Sequence, residues 1–158
     1  MPSAKKKAPK YGNNKLVIDG IRFDSKVEAG CYVEASTYPA KFNLDLQKKF
    51  EIHPKYKADG KTIQAINYIC DFYITKSKFF KKPEYVPRSY VIDVKGIKTN
   101  EFKLKEKLFM YKHCQPIICV KSANEMRFLL DMIENNIDPW DCKRALEIKP
   151  KKKTNRKK

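Results

Sequence analysis

Apolar and polar residues recur along this chain with two periods, one of two residues and one near 3.6. Residues 15–23, KLVIDGIRF, alternate about Asp19-Gly20, a two-residue turn signal that predicts a hairpin. A helix is predicted to open at Asp24 or Ser25 and run to about Ser36, because Tyr38-Pro39 cannot continue it. Residues 46–53, LQKKFEIH, predict a strand. A polar turn at 57–62, containing Asp59-Gly60, leads to a second strand at 64–75, QAINYICDFYIT. A Lys- and Pro-rich loop at 76–88 separates it from a third strand, SYVIDVKG, at 89–96.

The longer period takes over afterwards. A helix is predicted from about Asn100 to His113, then a short buried strand, PIICV, at 116–120. Met126, Leu129, Leu130, Ile133 and Ile137 recur at i, i+3, i+4 and i+7, the stripe of an amphipathic helix. Asp138-Pro139 offers a cap followed by proline at the first helical position, so a last short helix is expected there. No internal repeat is found. The order of elements predicts an α/β fold, a mixed central β-sheet flanked by helices, with extra helices at the C-terminal end.

Acids stand where core strands should be apolar. In the second strand Ile66, Tyr68, Cys70, Phe72 and Ile74 are expected on one face, and Asn67, Ile69, Asp71 and Tyr73 on the other. A carboxylate between Ile69 and Tyr73 costs several kcal/mol, roughly, unless it is paired or holds a metal. The third strand repeats the pattern: Val91, Asp93 and Lys95 share a face, so the acid and the lysine lie side by side. That pair alone reads equally as a local ion pair at a strand end. On the first helix, Val27, Cys31, Tyr32, Ala35 and Tyr38 share one arc at about 100° per residue, and Glu28 falls inside it. Ser25-x-x-Glu28 is also a capping box, as is Ser122-x-x-Glu125, so capping competes with function for that glutamate.

Charge adds a partner. The net charge is +17 over 158 residues. Residues 1–10 carry +4 and residues 143–158 carry +8, which leaves +5 for the central 132. The ends are expected to be disordered basic arms, 1–10 and 147–158, around one domain at 11–146. Basic arms meet polyanions, and DNA or RNA is the default, since each neutralised phosphate releases counterions. Solubility is the bland alternative. No apolar run nears the roughly 18–20 residues of a membrane span, and no signal peptide is expected. The five cysteines form no CxxC pair and have no well-spaced histidine partners, which predicts reduced thiols in a cytoplasmic protein.

Carboxylates meeting at strand ends beside one lysine, in a basic protein, form a hard oxygen site suited to Mg²⁺ or Mn²⁺. Phosphodiester hydrolysis is the reaction that needs such a site. The motif order of Glu on the first helix, Asp in one strand and Asp-x-Lys in the next, then helix and strand, resembles the PD-(D/E)XK nuclease superfamily over roughly Tyr11 to Val120. The phrases KYGNNKLVIDGIRFDSKVEA, INYICDFYI and VIDVKGIKT look like a phage-encoded branch of it, related to endonucleases that resolve DNA junctions.

That resemblance implies a restriction-endonuclease-like α-β-β-β-α-β core and a metal-dependent endonuclease acting on DNA, with branched DNA or Holliday junctions among its substrates. Carried over, it makes Asp71 the central metal ligand, Asp93 the second carboxylate, Val94 a backbone-carbonyl ligand, Lys95 the catalytic lysine and Glu28 the helix-borne acid. Cys70 stands where the superfamily name has Pro, and Asp93 where Glu is commoner. Lys26, Lys98, Lys103 and Lys107 are the expected contacts to the nucleic-acid backbone, with Lys105 beside them. On the helix from residue 100, Leu104, Leu108 and Tyr111 form one apolar flank, Phe102 and Phe109 another. Two flanks predict packing on the sheet and on a second surface, either the C-terminal helix or a second subunit in a homodimer. Two readings compete: a non-catalytic basic nucleic-acid-binding protein, and a nuclease subunit active only within a larger recombination or packaging complex.

Overall fold

The computed structural model describes residues 15–38, 42–76 and 88–148. The arm expected at 1–10, all but the first two residues of the arm expected at 147–158, and most of the loop expected at 76–88 lie outside the described residues. The described residues form an α/β fold, with a mixed sheet and four helices.

The opening hairpin, β1 (Leu16–Ile18) and β2 (Ile21–Phe23), pairs Ile18 with Ile21 across Asp19 and Gly20. Both turn residues take positive φ, 52° and 76°, the backbone of a two-residue turn that Asp-Gly adopts readily. Helix α1 (Lys26–Thr37) starts at Ser25, whose hydroxyl accepts from the Glu28 N–H. Ala29, Cys31 and Tyr32 are buried, but Val27, expected on the inner arc, is exposed.

The four-stranded sheet runs β10-β9-β8-β3. Its members are β3 (Phe42–Leu46), β8 (Phe72–Lys76), β9 (Ser89–Val94) and β10 (Ile117–Val120). The β3–β8 and β8–β9 pairs are antiparallel and the β9–β10 pair is parallel, joined through α2 (Asn100–His113). On one face Phe72, Ile74, Tyr90, Ile92, Ile118 and Val120 pack under α1, α3 (Ala123–Glu134) and α4 (Pro139–Glu147). On the other, Val91 and Ile117 meet Phe102 and Phe109 of α2. Each such fully buried aliphatic or aromatic side chain contributes about 1.5–3 kcal/mol. The predicted stripe of α3 is buried at Met126, Leu129, Leu130 and Ile133. Helix α4 extends to Glu147, one residue into the expected tail. On the flank of α2 that carries Leu104, Leu108 and Tyr111, Leu108 packs against the second core cluster, while Leu104 is 60% and Tyr111 88% exposed.

Between β3 and β8 the chain makes one long, bent ribbon. Strands β4 (Lys49–His53) and β7 (Ile66–Ile69) pair with each other, and β5 (Tyr56–Ala58) and β6 (Lys61–Ile63) close the tip around Asp59 and Gly60. Gln47 takes a φ of 51°, rare for a side chain with a Cβ, and the ribbon turns there. The bonds Gln47 N–H to Asp71 O (3.2 Å) and Cys70 N–H to Lys48 O (3.1 Å) carry the ladder across the bend.

The single strand expected at 64–75 is therefore two strands. Phe72 and Ile74 face the first core cluster, while Tyr68 and Cys70 face the second, so the inside-outside parity reverses at Cys70–Asp71. Ile66, expected on the same face as Phe72, is exposed.

Candidate active site

The reversal at Cys70–Asp71 creates the site. The β8–β9 register ends at the Phe72–Ile92 pair, so the next stretch of β9 lacks a strand partner on that side. The Asp71 carboxylate fills the gap: its Oδ2 accepts from the Val94 N–H at 2.7 Å, and its Oδ1 from the Gln47 amide at 3.3 Å. The N–H and C=O of one strand residue project to the same side, so the Val94 carbonyl is turned toward Asp71 as well.

Asp93 is buried, 2% exposed. Its Oδ2 accepts from the Tyr68 hydroxyl at 2.6 Å. Its Oδ1 lies 3.0 Å from the Lys95 ammonium, yet makes no well-aligned hydrogen bond with any described residue. A buried carboxylate oxygen with that geometry is either tolerated at a cost or waiting for a cation.

The two carboxyl groups lie within hydrogen-bonding reach of each other. Burial first, and then the Asp93 charge, push Asp71 from an ordinary 3.8 up to about 7, against the pull of the Val94 N–H. The half-buried Asp71, beside the buried Asp93, is therefore protonated in a large share of molecules near neutral pH. Burial alone would lower Lys95, but the Asp93 charge, with Asp71 behind it, outweighs burial and holds the ammonium above its usual range. Burial and the same carboxylate raise the Tyr68 phenol, so it donates its proton and keeps it.

Glu28 is half-buried and lines a cleft of about 280 Å³ with Asp71, Gln47 and Arg22. Its carboxylate accepts from the Asp24 N–H at 3.3 Å. Glu125 makes the equivalent bond to the Lys121 N–H at the start of α3, so the capping role expected of both is real. Burial raises the Glu28 carboxyl, and Lys95 and Asp93 are both near enough to act on it. A second cleft, about 430 Å³, opens on the other side of the pair, between β7 and α2, and holds Asp93, Lys95 and Lys105. The carboxylate pair thus lies between two clefts.

Among the described residues, no three His, Cys, Asp or Glu side chains are grouped so as to hold a metal ion. The donors that do converge are two carboxylates, one with an unbonded oxygen, and one backbone carbonyl. Such a set suits Mg²⁺, which commonly takes one or two carboxylates and completes its shell with water and substrate phosphate. Of the lysines expected to touch nucleic acid, Lys26, Lys103 and Lys107 are exposed. Lys98 instead bridges Glu106 at 3.1 Å and Glu147 at 3.3 Å, and Lys143 closes on the same buried Glu106.

Residues 8–126, more than half of the chain and all of the site just described, match the family described as Protein of unknown function (DUF1064). The chain belongs to this family. No curated protein and no solved structure matches it. The family's match spans every strand and ends inside α3, so the site falls within the part that defines the family and α4 lies beyond it.

Tyr68 and Gln47, which hold the two aspartates, are the members sequence reasoning missed. Unbroken alternation places Tyr68 on the face opposite Asp71, and only the bend brings both to one place. A glutamine at a strand end carries no local signal. All five cysteines are free, and burial pushes Cys31 and Cys70 up to about 12 and Cys119 and Cys142 to about 11. No described helix is long and apolar enough to cross a membrane.

Proposed function

We propose that this protein is a metal-dependent endonuclease that hydrolyses DNA phosphodiester bonds, branched DNA included, and that Asp71, Asp93 and Lys95 are its centre. The observation that carries the reading is the buried Asp93 carboxylate, paired with Lys95 at 3.0 Å and set within hydrogen-bonding reach of a second carboxylate, Asp71. One lysine balances one acid, and a structural ion pair gives no reason for the second. The order of the central elements supports the same reading. α1, β3, β8, β9, α2 and β10 follow the α-β-β-β-α-β succession of restriction-endonuclease-like cores, with the bent ribbon inserted after the first core strand.

Asp71, Asp93 and the Val94 carbonyl would hold Mg²⁺ or Mn²⁺, which supplies Lewis acidity toward the phosphate and a more acidic bound water. The protein's own groups do the rest. Lys95 is held protonated and offsets the charge that grows on the phosphate oxygens. Tyr68 fixes the orientation of Asp93, and Gln47 with the Val94 N–H fixes Asp71. Glu28 adds a carboxylate in the cleft it lines with Asp71, where it can orient a water while it caps α1.

A non-catalytic nucleic-acid-binding role is favoured by one observation, the absence of a three-carboxylate group among the described residues. Purified protein incubated with a four-way junction, linear duplex and single-stranded DNA, with Mg²⁺ or with EDTA, separates the two. The nuclease reading expects cleavage only with metal, abolished by Asp71→Asn and by Lys95→Ala while DNA binding persists. Binding without cleavage under every metal tried, and unchanged in Asp71→Asn, refutes a nuclease active on its own and leaves the non-catalytic binder and the subunit that needs a larger complex.

A further inference from the structure

Every residue from 54 to 64 is exposed, although six of them form the regular strands β5 and β6. An isolated hairpin of this size is marginal in water at best, and this one buries nothing of its own. Tyr56 and Ile63 face each other across the two strands and are 47% and 39% exposed. The segment carries Lys55, Lys57 and Lys61 against a single acid, Asp59.

We propose that the tip of the ribbon is an arm that enters a groove of duplex nucleic acid next to the carboxylate pair. The inference rests on nucleic acid being the substrate and adds where the protein grips it. Register decides between a groove and a protein surface. Tyr56, Ile63, Ala58 and Lys61 share one face of the hairpin, and Lys57 with Thr62 occupies the other. A flat protein partner meets one face, whereas a groove has phosphate walls on both sides and rewards a lysine on each. A two-stranded ribbon fits the major groove, which is about 12 Å wide. Tyr56 and Ile63 then meet base edges and thymine methyls, and the lysines meet phosphates.

The arm is tied to the chemistry through its base. Its two strands run back to Gln47 and Asp71, which are bonded to each other, and Tyr68 on β7 holds Asp93. From Ile63 to Asp71 the chain spans at most about 27 Å at the usual strand rise. The groove contact therefore falls within about eight base pairs of the cleaved phosphate, at about 3.4 Å per pair.

The test replaces residues 54–65 with Asn-Gly in the full chain, closing a two-residue turn on the existing His53–Ile66 pair. A second variant, Lys55→Gln with Lys57→Gln and Lys61→Gln, keeps the hairpin. Binding to duplex is measured in EDTA over a salt series, beside thermal melting and sedimentation. The expected result is a melting point close to that of the parent and at least about a tenfold loss of duplex affinity near 0.1 M salt. Both variants should also lower the salt dependence by about two to three released ions. A folded, truncated variant with parental affinity and salt slope overturns the arm and leaves the nuclease reading standing. A change in sedimentation without a change in DNA affinity also overturns it, and makes the tip a self-association surface. If the parent binds no nucleic acid in EDTA, arm and nuclease reading fall together.

Discussion

Replacing Asp71 with Asn should make the metal-free protein more stable, and only above acidic pH. In the folded chain the Asp71 carboxyl is raised from 3.8 to about 7. A folded-state value above the unfolded one means that the native state binds the extra proton. The stability share of this group is complete below about pH 4 and is lost as pH rises toward 7. Three units at 1.36 kcal/mol each put the loss at about 4 kcal/mol as an upper bound, and about 2 kcal/mol if water and side chains relax around the charge. Asparagine never ionises, and its carbonyl oxygen can still accept the 2.7 Å bond from the Val94 N–H. The variant should therefore match the parent near pH 4 and exceed it by about 2–4 kcal/mol at pH 8, some 5–15 °C in melting temperature for a domain of this length. Thermal melts of both proteins in EDTA, at half-unit steps from pH 4 to 8.5, read the difference directly. Contributions from titrating groups remote from Asp71 cancel in the subtraction. Added Mg²⁺ or Mn²⁺ should then raise the parent and leave the variant where it was. A difference that stays constant from pH 4 to 8, or that favours the parent at pH 8, refutes the raised Asp71 carboxyl and with it the electrostatic case for a cation site.

Three further outcomes follow from the same geometry. Tyr68→Phe removes the 2.6 Å donor to Asp93 and leaves a buried carboxylate oxygen unpaired, at about 1–3 kcal/mol; calorimetry should show the loss in EDTA and a smaller one with metal bound. Glu106→Gln leaves Lys143 beside a neutral amide, while Lys98 keeps Glu147, and should cost about 1.5–3 kcal/mol as the loss of charge-assisted hydrogen bonds; a chemical-denaturation midpoint within error of the parent would show that water already screens the network. Metal affinity should rise with pH up to about 7 and level off above it, because the proton on Asp71 must leave first; titration calorimetry with Mn²⁺ at pH 6 and pH 8 checks the sign.

The helices were legible because their signals are local. Ser25, Ser122 and Asp138 each cap the helix they were expected to start, and the α2 bounds follow from Asn100 and His113. Both Asp-Gly turns were legible for the same reason. The strands β5 and β6 were not, since YKA and KTI are too polar to announce themselves. The bend was not legible either: alternation runs unbroken through Cys70 and Asp71, and the residue that turns the ribbon, Gln47, stands in the opposite strand. The acids of the site could be picked out because carboxylates in apolar strands are rare. Their supports, Tyr68 and Gln47, could not, because they reach the site only through that bend.

The position of the bend sets which insertions the chain can absorb. Upstream, pairing is locked at Leu46 with Phe72, and Gln47 and Asp71 are bonded to each other. Beyond His53 nothing in the body depends on the strands. Family members should thus differ freely in length at 54–65, adding or losing residues in cross-strand pairs, while a single residue gained at 47–48 or 70–71 would misplace both aspartates at once.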